Sequence, residues 1–290
     1  MTATMAPSVA SPVSLRPANQ QAQLLTGRPY VSFSQISSMR SCPKRFQLHY
    51  VNDARPDFLP ASLVYGSAIH AAVETCFHAM MAGLHPSAGD LLHAYRLSWQ
   101  EQKSAAGKDL SIRYAKDQDE AVLGEMADRM ITTFMASPAS QPRGTLLGVE
   151  EEFRVMLDRG LPDVLARVDL VYETDNAIVV RDFKTSRAKW SQQKAEESAD
   201  QLFLYGRVLR EMARSMNKPV QGEFVVLTKQ KTVQLQMLSV AITGEGIRRT
   251  QDAIAITWQA VLAGNFYPNP SPMNCTTCQY KSHCPAFGGH

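Results

Sequence analysis

The sequence has no apolar run that approaches the roughly 20 residues needed to cross a bilayer as a helix, so it predicts a protein without a membrane span. The first 28 residues contain no acidic residue and only two basic ones, Arg16 and Arg28, and they have no continuous apolar centre. Such a segment fits neither a secretory signal nor an arginine-rich, amphipathic transit peptide. Its abundance of Ala, Ser, Pro and Gln predicts a disordered extension over residues 1–28.

Cysteine is scarce, and its count is odd. The chain of 290 residues has five cysteines, at positions 42, 76, 275, 278 and 284. An odd number without a secretory signal argues against a secreted disulfide framework and for a reducing compartment. We therefore expect the protein in the cytoplasm.

The overall composition is that of a globular chain with a sizeable core. Hydrophobic residues make up 44% and charged residues 20% of the sequence, and the formal net charge is +3. The length predicts one large or two small domains, and we find no internal repeats. A mildly basic balance permits an anionic partner without requiring one.

The pattern of apolar residues changes along the chain from helical to strand-like. Ser34 is expected to cap a short helix and Pro43 to open the next one. The stretch "GSAIHAAVETCFHAMMAG" predicts a buried helix that closes at Gly83, and residues from about 84 to 137 stay helical around a polar loop. Three strand-like runs follow, "TLLGVEEEFRVML", "DVLARVDLVYE" and "AIVVRDFKT".

The last third continues with alternating elements. A helix is expected over "AEESADQLFLYGRVLREMARSM", then two strands, "GEFVVLTK" and "TVQLQMLSV", and a last helix from about Gly244 to Ala263. The tail after that helix is rich in loops and cysteine. This order predicts one α/β core with helices on the faces of its sheet.

Charged residues stand on two neighbouring strands, where charge is normally avoided. If the runs around "RVDLVYETDNAIVVRDFKTS" pair as a hairpin, Asp169 and Asp182 lie side by side. Asp182 and Lys184 then share one side, and Phe183 points to the core. Two adjacent carboxylates suit Mg²⁺ or Mn²⁺, beside which Lys184 could orient or deprotonate a water or stabilise charge on a phosphate. The simpler alternative is a surface hairpin with an Asp–Lys salt bridge.

The pair "ARVDLV" and "VVRDFKTS" resembles the core of the PD-(D/E)xK nuclease superfamily in its RecB-like branch. The resemblance implies a restriction-endonuclease-like fold, in which a central mixed β-sheet is flanked by helices. It implies that Asp169 and Asp182 hold a catalytic metal together with the backbone carbonyl of Phe183. It also implies that Lys184 takes part in catalysis.

The resemblance extends to both sides of this core. "GSAIHAAVE" is similar to the helix that supplies a histidine ligand, here His70, and "QLFLY" is similar to a Gln-x-x-x-Tyr motif, here Gln201 and Tyr205. Each piece also has a simpler interpretation, because a single histidine on an apolar helix is commonly a core residue. Glu74, one turn after His70, is expected to be solvated or to lie outside the ligand set.

The C-terminal cysteines form the pattern Cys-x2-Cys-x5-Cys in "CTTCQYKSHC". Zinc is one candidate for Cys275, Cys278 and Cys284, with Cys42 or His283 as the fourth ligand. The layout of one distant cysteine and a C-terminal triplet resembles the iron–sulfur branch of the RecB-like nucleases, which includes AddB and the CRISPR-associated exonucleases. That resemblance implies a [4Fe-4S] cluster on Cys42 and the three C-terminal cysteines. Cys76 is expected to be a buried small hydrophobe.

The resemblance covers residues from about 30 to 287 and implies a nuclease domain over 29–290, with a helical insertion at about 84–137. The implied activity is a metal-dependent DNA exonuclease on single strands or DNA ends. Arg181, Arg187, Lys189 and Lys194 would contact phosphates, and Trp190 would either stack a base or join the core. The alternatives are a non-cleaving DNA-end-binding subunit that partners a helicase or a CRISPR integrase, and a zinc-stapled RNA or tRNA enzyme.

Overall fold

A mixed β-sheet forms the centre of the protein. The computed structural model describes residues 15–107 and 109–289. Its strands, in chain order, are β1 (Val31–Ser32), β2 (Leu59–Pro60), β3 (Ile112–Arg113), β4 (Thr145–Val155), β5 (Val164–Glu173), β6 (Ile178–Ser186), β7 (Val220–Thr228) and β8 (Leu235–Ala241). In this part of the chain six strands form one sheet in the order β1-β5-β6-β7-β8, with β4 paired to β5, while β2 and β3 pair separately.

Helices cover both faces of this sheet. They are α1 (Pro17–Thr26), α2 (Phe33–Ser41), α3 (Pro43–Phe46), α4 (Ala61–Met81), α5 (Ala88–Ala105), α6 (Glu120–Met135), α7 (Gln192–Glu197), α8 (Asp200–Val208), α9 (Arg210–Ser215), α10 (Gly244–Leu262) and α11 (Pro272–Cys275). The α4–α6 layer packs on one face in one apolar core, and α2, α8 and α10 pack on the other face in a second core. The predicted α/β class with a central mixed sheet flanked by helices is therefore confirmed.

Alternation along β6 and β7 divides the apolar residues between the two cores. Phe183 and Val225 belong to the core under α4 and α6, whereas Val180 and Phe224 belong to the core under α8 and α10. Both strands are buried on both faces and pair in parallel over their whole length. Continuous apolar runs rather than polar alternation are the pattern expected of such buried central strands.

The pairing between β5 and β6 ends before β6 ends. The last register pair is Leu170 with Arg181. On the edge of β5 that faces β6, the next pairing is at the start of β5, where Val31 of β1 aligns with Val164. The backbone between these two pairings, residues 166–169, therefore faces a gap in the sheet on that side, and Asp169 stands at its border.

The helix α4 lies over this region because its sequence is apolar on most of its circumference. Val64, Ala68, Ile69, Ala72 and Phe77 are all buried on it. The helix begins at Ala61, five residues before the predicted start, and Gly83 just after it adopts the left-handed conformation (φ +74°) that favours glycine at a helix end. No helix in the described ranges is long and apolar enough to cross a membrane.

The expected disorder over residues 1–28 is wrong for α1. Pro17 opens this helix at its first turn, and Gly27 ends it in the left-handed conformation. Arg16 contacts Asp163 at 2.5 Å and Asn19 donates to the same carboxylate at 2.7 Å. Tertiary contacts to the start of β5 thus hold a polar segment that has little helical tendency of its own. Residues 1–14 lie outside the described residues.

Several predicted boundaries differ in detail. The N-cap of α2 is Ser32 and not Ser34, since the Ser32 hydroxyl accepts from the Gln35 N–H and the Gln35 side chain accepts in return from the Ser32 N–H. Pro43 opens α3 as predicted. The single helix expected over residues 195–216 is divided into the three short helices α7, α8 and α9. The helical segment at 84–137 consists of α5 and α6, with β3 between them.

Candidate active site

Two side chains complete the backbone hydrogen bonding at the gap between β5 and β6. Asp169 Oδ2 accepts from the Phe183 N–H at 2.8 Å. On the other side of the gap, the Tyr205 hydroxyl donates to the carbonyl oxygen of Arg167. A buried backbone group without a partner is costly, so these contacts fix the two side chains where the strands separate.

Asp182 and Lys184 share one side of β6, as alternation predicts. Asp182 is fully buried, and its Oδ2 lies 2.5 Å from Lys184 Nζ. The second oxygen of this carboxylate, Oδ1, is buried without a hydrogen-bond partner in the described part of the chain. Phe183, between them, packs against the rings of Phe77 and Phe134 with centroids 5.8 and 6.0 Å away. This packing anchors the strand and leaves its polar residues on the opposite side.

The helix α8 brings Gln201 and Tyr205 to the lysine. Gln201 Oε1 accepts from Lys184 Nζ at 3.0 Å, and Gln201 Nε2 donates to the Tyr205 hydroxyl. The two residues are four positions apart and therefore lie on the same face of the helix. The chain of contacts from Asp182 through Lys184 and Gln201 to Tyr205 holds the ammonium group in one position.

His70, Glu150 and Asp169 form a group of possible metal ligands. One ligand atom from each lies within 4.8 Å of the other two. His70 Nδ1 is 3.5 Å from Asp169 Oδ2. The carboxylate of Asp182, which the sequence analysis placed in the ligand set, is not a member of this group and faces Lys184 instead.

Glu150 is a candidate ligand that the sequence pattern did not predict. It occurs in a run of three glutamates at 150–152, from which strand alternation does not single it out. In the register of β4 and β5, Val149 pairs with Leu170 and Glu151 with Val168, so Glu150 stands opposite Asp169. Its positive φ of 51° interrupts the regular strand geometry there. The signal that could have found it is this position across from the first aspartate of the motif.

The cleft beside these groups is open, and most of the side chains that line it are polar. Its volume is about 490 Å³, and its walls include Ser62, Gly66 and Ser67 from the first turns of α4 as well as His70, Glu150 and Asp169. Glu74 lines it too, which places this residue at the cleft although not in the ligand group. Gln201 from α8 lines it as well.

Burial and mutual repulsion change the acidity of the carboxyl groups. Burial, with added repulsion from Asp169, raises the pKa of Glu150 to about 8. Burial and the neighbouring Asp182 raise the pKa of Asp169 to about 6, although His70 and Lys184 oppose this. Burial lowers the pKa of Lys184, but Asp182 and Asp169 raise it by more, so the group stays an ammonium ion. Burial and mutual repulsion make the ionised forms of these carboxylates unfavourable. A bound cation would stabilise the ionised forms.

Arg181 does not face the cleft, and the expectation that it contacts phosphates is wrong. Its side chain is 1% exposed and donates to Glu223 Oε2 at 2.6 Å, to the Ala139 carbonyl at 2.7 Å and to the Tyr172 hydroxyl at 3.0 Å. A buried guanidinium needs such partners, and they make it a structural residue. Residue 181 alternates with Asp182 and so points to the opposite face of the sheet.

The other basic residues proposed for phosphate contacts are exposed. These are Arg187, Lys189 and Lys194. Trp190 packs against Phe224 with ring centroids 5.3 Å apart and donates from Nε1 to Ser186 at 3.1 Å. Of its two expected roles, the structure therefore shows the packing one.

The four cysteines outside α4 surround one small cavity. Cys42 from the start of α3 and Cys275, Cys278 and Cys284 from the tail all line it, and all are free thiols. No three of their sulfurs lie within 4.8 Å of one another. His283 instead donates from Nε2 to the Arg55 carbonyl oxygen at 2.9 Å. Cys76 is buried within the apolar core, as expected.

Comparisons with known proteins bear on the family and the fold. The profile of the PD-(D/E)XK nuclease superfamily matches residues 30–285. A crystal structure of a protein from Eubacterium rectale, named as a candidate exonuclease, is similar over 92% of both chains with a TM-score of 0.55 and 11% identity, which shows the fold alone. The crystal structure of SSO0001 covers 74% of this chain and 94% of its own at 14% identity, with a TM-score of 0.38. No protein with a curated description matches the chain.

Proposed function

Because the chain belongs to the PD-(D/E)XK nuclease superfamily, we propose that it is a metal-dependent DNA nuclease, an exonuclease on single-stranded DNA or DNA ends. The observation that carries this proposal is an open cleft lined by three possible metal ligands and by Gln201, which accepts from Lys184 of the Asp182–Lys184 pair.

The residues present fit Mg²⁺ or Mn²⁺. Asp169 and Glu150 offer hard oxygen ligands, and His70 offers an imidazole nitrogen that Mn²⁺ accepts readily. Asp182, with a buried oxygen that lacks a partner among the described residues, is the further ligand that the sequence resemblance assigns, together with the Phe183 carbonyl. When bound, such an ion polarises the scissile phosphate and lowers the pKa of a coordinated water.

Lys184 has a separate task in this proposal. Its ammonium group, held by Asp182 and Gln201, stands at the border of the cleft and can stabilise negative charge on the phosphate or orient the attacking water. Its raised pKa makes electrostatic stabilisation the more suitable role, because a protonated amine cannot accept a proton. Gln201 and Tyr205 act through Lys184 and are positioning residues.

We further propose that Cys42, Cys275, Cys278 and Cys284 hold a [4Fe-4S] cluster. Four free thiols around one cavity supply the required ligands. A tetrahedral zinc ion with bonds of about 2.3 Å would draw the sulfurs to about 3.8 Å from one another. The wider spacing found here favours a larger cluster, which would join the N-terminal α3 to the C-terminal tail.

We propose DNA as the substrate and the cytoplasm as the location of the protein. Exposed Arg187, Lys189 and Lys194 would contact DNA phosphates. An association with a helicase or a CRISPR adaptation partner rests on the sequence resemblance alone. The free thiols accord with a reducing compartment, and we propose the cytoplasm.

Cleavage of end-labelled single-stranded DNA by the full chain, with Mn²⁺, Mg²⁺ or EDTA, tests the activity. Wild type should cut only with a metal, and Asp182→Asn and Lys184→Gln should not cut. Gln201→Ala should lower kcat by about 10–100-fold with KM nearly unchanged, because it acts only through the lysine. Gln193→Ala, which removes an exposed contact to Glu197 on α7, is the control. DNA binding without any cleavage would instead favour the non-cleaving end-binding subunit.

A further inference from the structure

A second cavity lies beside the catalytic cleft. It has a volume of about 680 Å³, enough for one nucleotide, and is formed by the segment after α3, the start of α4, the end of β7 and the cysteine-rich tail. We call it the Lys229 pocket, after the residue that immediately follows β7. The residues that matter for its chemistry are Arg45, His49, Tyr50, Lys229 and Tyr280.

The charge of the Lys229 pocket is entirely positive. No Asp or Glu lines it, and within the described ranges neither Lys229 nor Arg45 has a carboxylate within 4.0 Å of its charged group. Burial, with added repulsion from Arg187, lowers the pKa of Lys229. A partly buried ammonium group without a counter-charge is unfavourable by itself, and an anion in the pocket would relieve it.

Aromatic side chains form another part of the wall. The rings of His49 and Tyr50 lie edge to face with centroids 4.3 Å apart, and Tyr50 is only partly buried. The hydroxyl of Tyr280 is 2.6 Å from His49 Nδ1 and holds this imidazole in place. Cations together with partly exposed aromatic rings are the combination by which proteins bind single nucleic-acid strands.

The Lys229 pocket adjoins the catalytic cleft. Ser62 and Leu63, at the start of α4, line both cavities, and Leu63 remains 52% exposed between them. Thr185, which lines the pocket, directly follows Lys184 on β6. The Lys229 N–H donates to the carbonyl of Ser186 at 2.6 Å, so the pocket is anchored to the strand that carries the candidate catalytic residues.

We propose that the Lys229 pocket binds the nucleotide next to the scissile phosphate of a single DNA strand. Lys229 and Arg45 contact its phosphate, Tyr50 stacks on its base, and the strand crosses between the two cavities over Ser62 and Leu63. This assignment rests on the proposed function, because it takes the phosphate in the cleft to belong to DNA. It also predicts the path of the DNA strand, which must run from the group of possible metal ligands toward the cysteine-rich tail.

Binding without cleavage tests the pocket directly. Binding is measured by fluorescence anisotropy with a labelled single-stranded oligonucleotide in EDTA. Lys229→Gln should weaken binding about 5–20-fold. It should also make the slope of log Kd against log salt shallower by about 0.7, because one phosphate contact is lost. Tyr50→Leu should weaken binding by a similar factor without altering the slope, because stacking is uncharged. Lys231→Gln, an exposed lysine two residues away, is the matched control and should change neither quantity.

A crosslinking measurement separates direct contact from a structural effect. DNA with 5-iododeoxyuridine next to the end held in the cleft should crosslink to a peptide that contains Tyr50. Unchanged binding and salt slope in Lys229→Gln, or crosslinks only to peptides outside the pocket, would overturn the proposal. If wild type cleaves DNA while Lys229→Gln binds normally, the pocket alone is rejected. If the pocket variants weaken binding but no metal supports cleavage, the catalytic proposal alone is rejected.

Discussion

The Phe183 N–H donates a hydrogen bond of 2.8 Å to Asp169 Oδ2, from the strand that carries the candidate lysine to the strand that carries the first aspartate. One carboxylate thereby has two tasks. It replaces a backbone acceptor at the gap between β5 and β6, and it stands in the ligand group with His70 and Glu150. The gap therefore exposes Asp169 to an ion and at the same time fixes its position.

Substitutions at Asp169 should separate these two tasks. Asp169→Asn retains an oxygen acceptor for the Phe183 N–H but removes the charge, so we expect a folded protein that cannot cleave. Asp169→Ala leaves that N–H buried without a partner and should lower the free energy of unfolding by about 1–3 kcal/mol more than the Asn variant. Urea unfolding in EDTA and the DNA cleavage assay give the two readouts. Cleavage at the wild-type rate by Asp169→Asn would refute the ligand assignment.

Glu150 should make the metal-free protein less stable as the pH rises. Its pKa is about 8 in the folded protein, above the ordinary value of 4.5, so the folded state holds a proton that the unfolded state has lost. The contribution of Glu150 to the free energy of unfolding is fully present below pH 4.5. It is lost as the pH rises to 8, by on the order of a few kcal/mol. Glu150→Gln should remove that loss. In EDTA it should match wild type at pH 5 and unfold at higher urea than wild type at pH 8.

The same variant should weaken the metal site. Mn²⁺ displaces the proton from Glu150, so wild-type affinity for Mn²⁺ should increase with pH through the same range. Glu150→Gln should bind Mn²⁺ less tightly and with a flatter pH dependence in isothermal titration calorimetry. Glu151→Gln, the next residue on β4, is the control. Equal Mn²⁺ affinity of wild type and Glu150→Gln at pH 8 would show that Glu150 is not a ligand.

Arg181 should contribute to stability and not to DNA binding. Arg181→Met removes the partner of the half-buried Glu223 and the donors to Ala139 and Tyr172, and we expect a loss of about 3–5 kcal/mol in unfolding free energy. Arg187→Gln removes the same charge from an exposed side chain six residues later. It should lower the free energy of unfolding by less than about 0.5 kcal/mol but weaken DNA binding. Urea unfolding and anisotropy distinguish the two. An Arg181 variant as stable as wild type would contradict this account.

The part of the site that depends on local pattern was predictable from the sequence. Asp182, Phe183 and Lys184 alternate along one strand, and Gln201 and Tyr205 are four apart on one helix, so their relative directions follow from the periods of strand and helix. His70 was predicted only through resemblance to a known family. Its approach to Asp169 depends on how α4 packs on the sheet, which no local pattern contains.

What the sequence did not predict depends on irregular backbone or on long-range contacts. Glu150 is directed by a positive φ and by a register that shifts between Leu146 and Gly148 in β4. The helix α1 forms through Arg16 and Asn19 contacts with Asp163, more than 140 residues away, so its composition alone indicated disorder. Arg181 looked like a surface cation because Glu223, its partner, lies on a strand that comes 42 residues later.

The cysteine cavity provides the last prediction. If it holds a [4Fe-4S] cluster, the purified protein should be brown, absorb in the visible region and contain close to four iron and four sulfide per chain. Cys275→Ser should lose colour and iron and should unfold at a lower temperature, because α3 and the tail are then no longer joined.

Cys76→Ala removes a buried thiol that lies in the apolar core of α4, so it should keep the full iron content even if it is less stable. Anaerobic purification, iron and sulfide analysis and thermal unfolding give the measurements. The contrary outcome is a colourless wild-type protein that contains one zinc per chain, together with a Cys275→Ser variant that has lost this zinc. That result would show that the cavity closes around a single ion despite the wide spacing of its thiols.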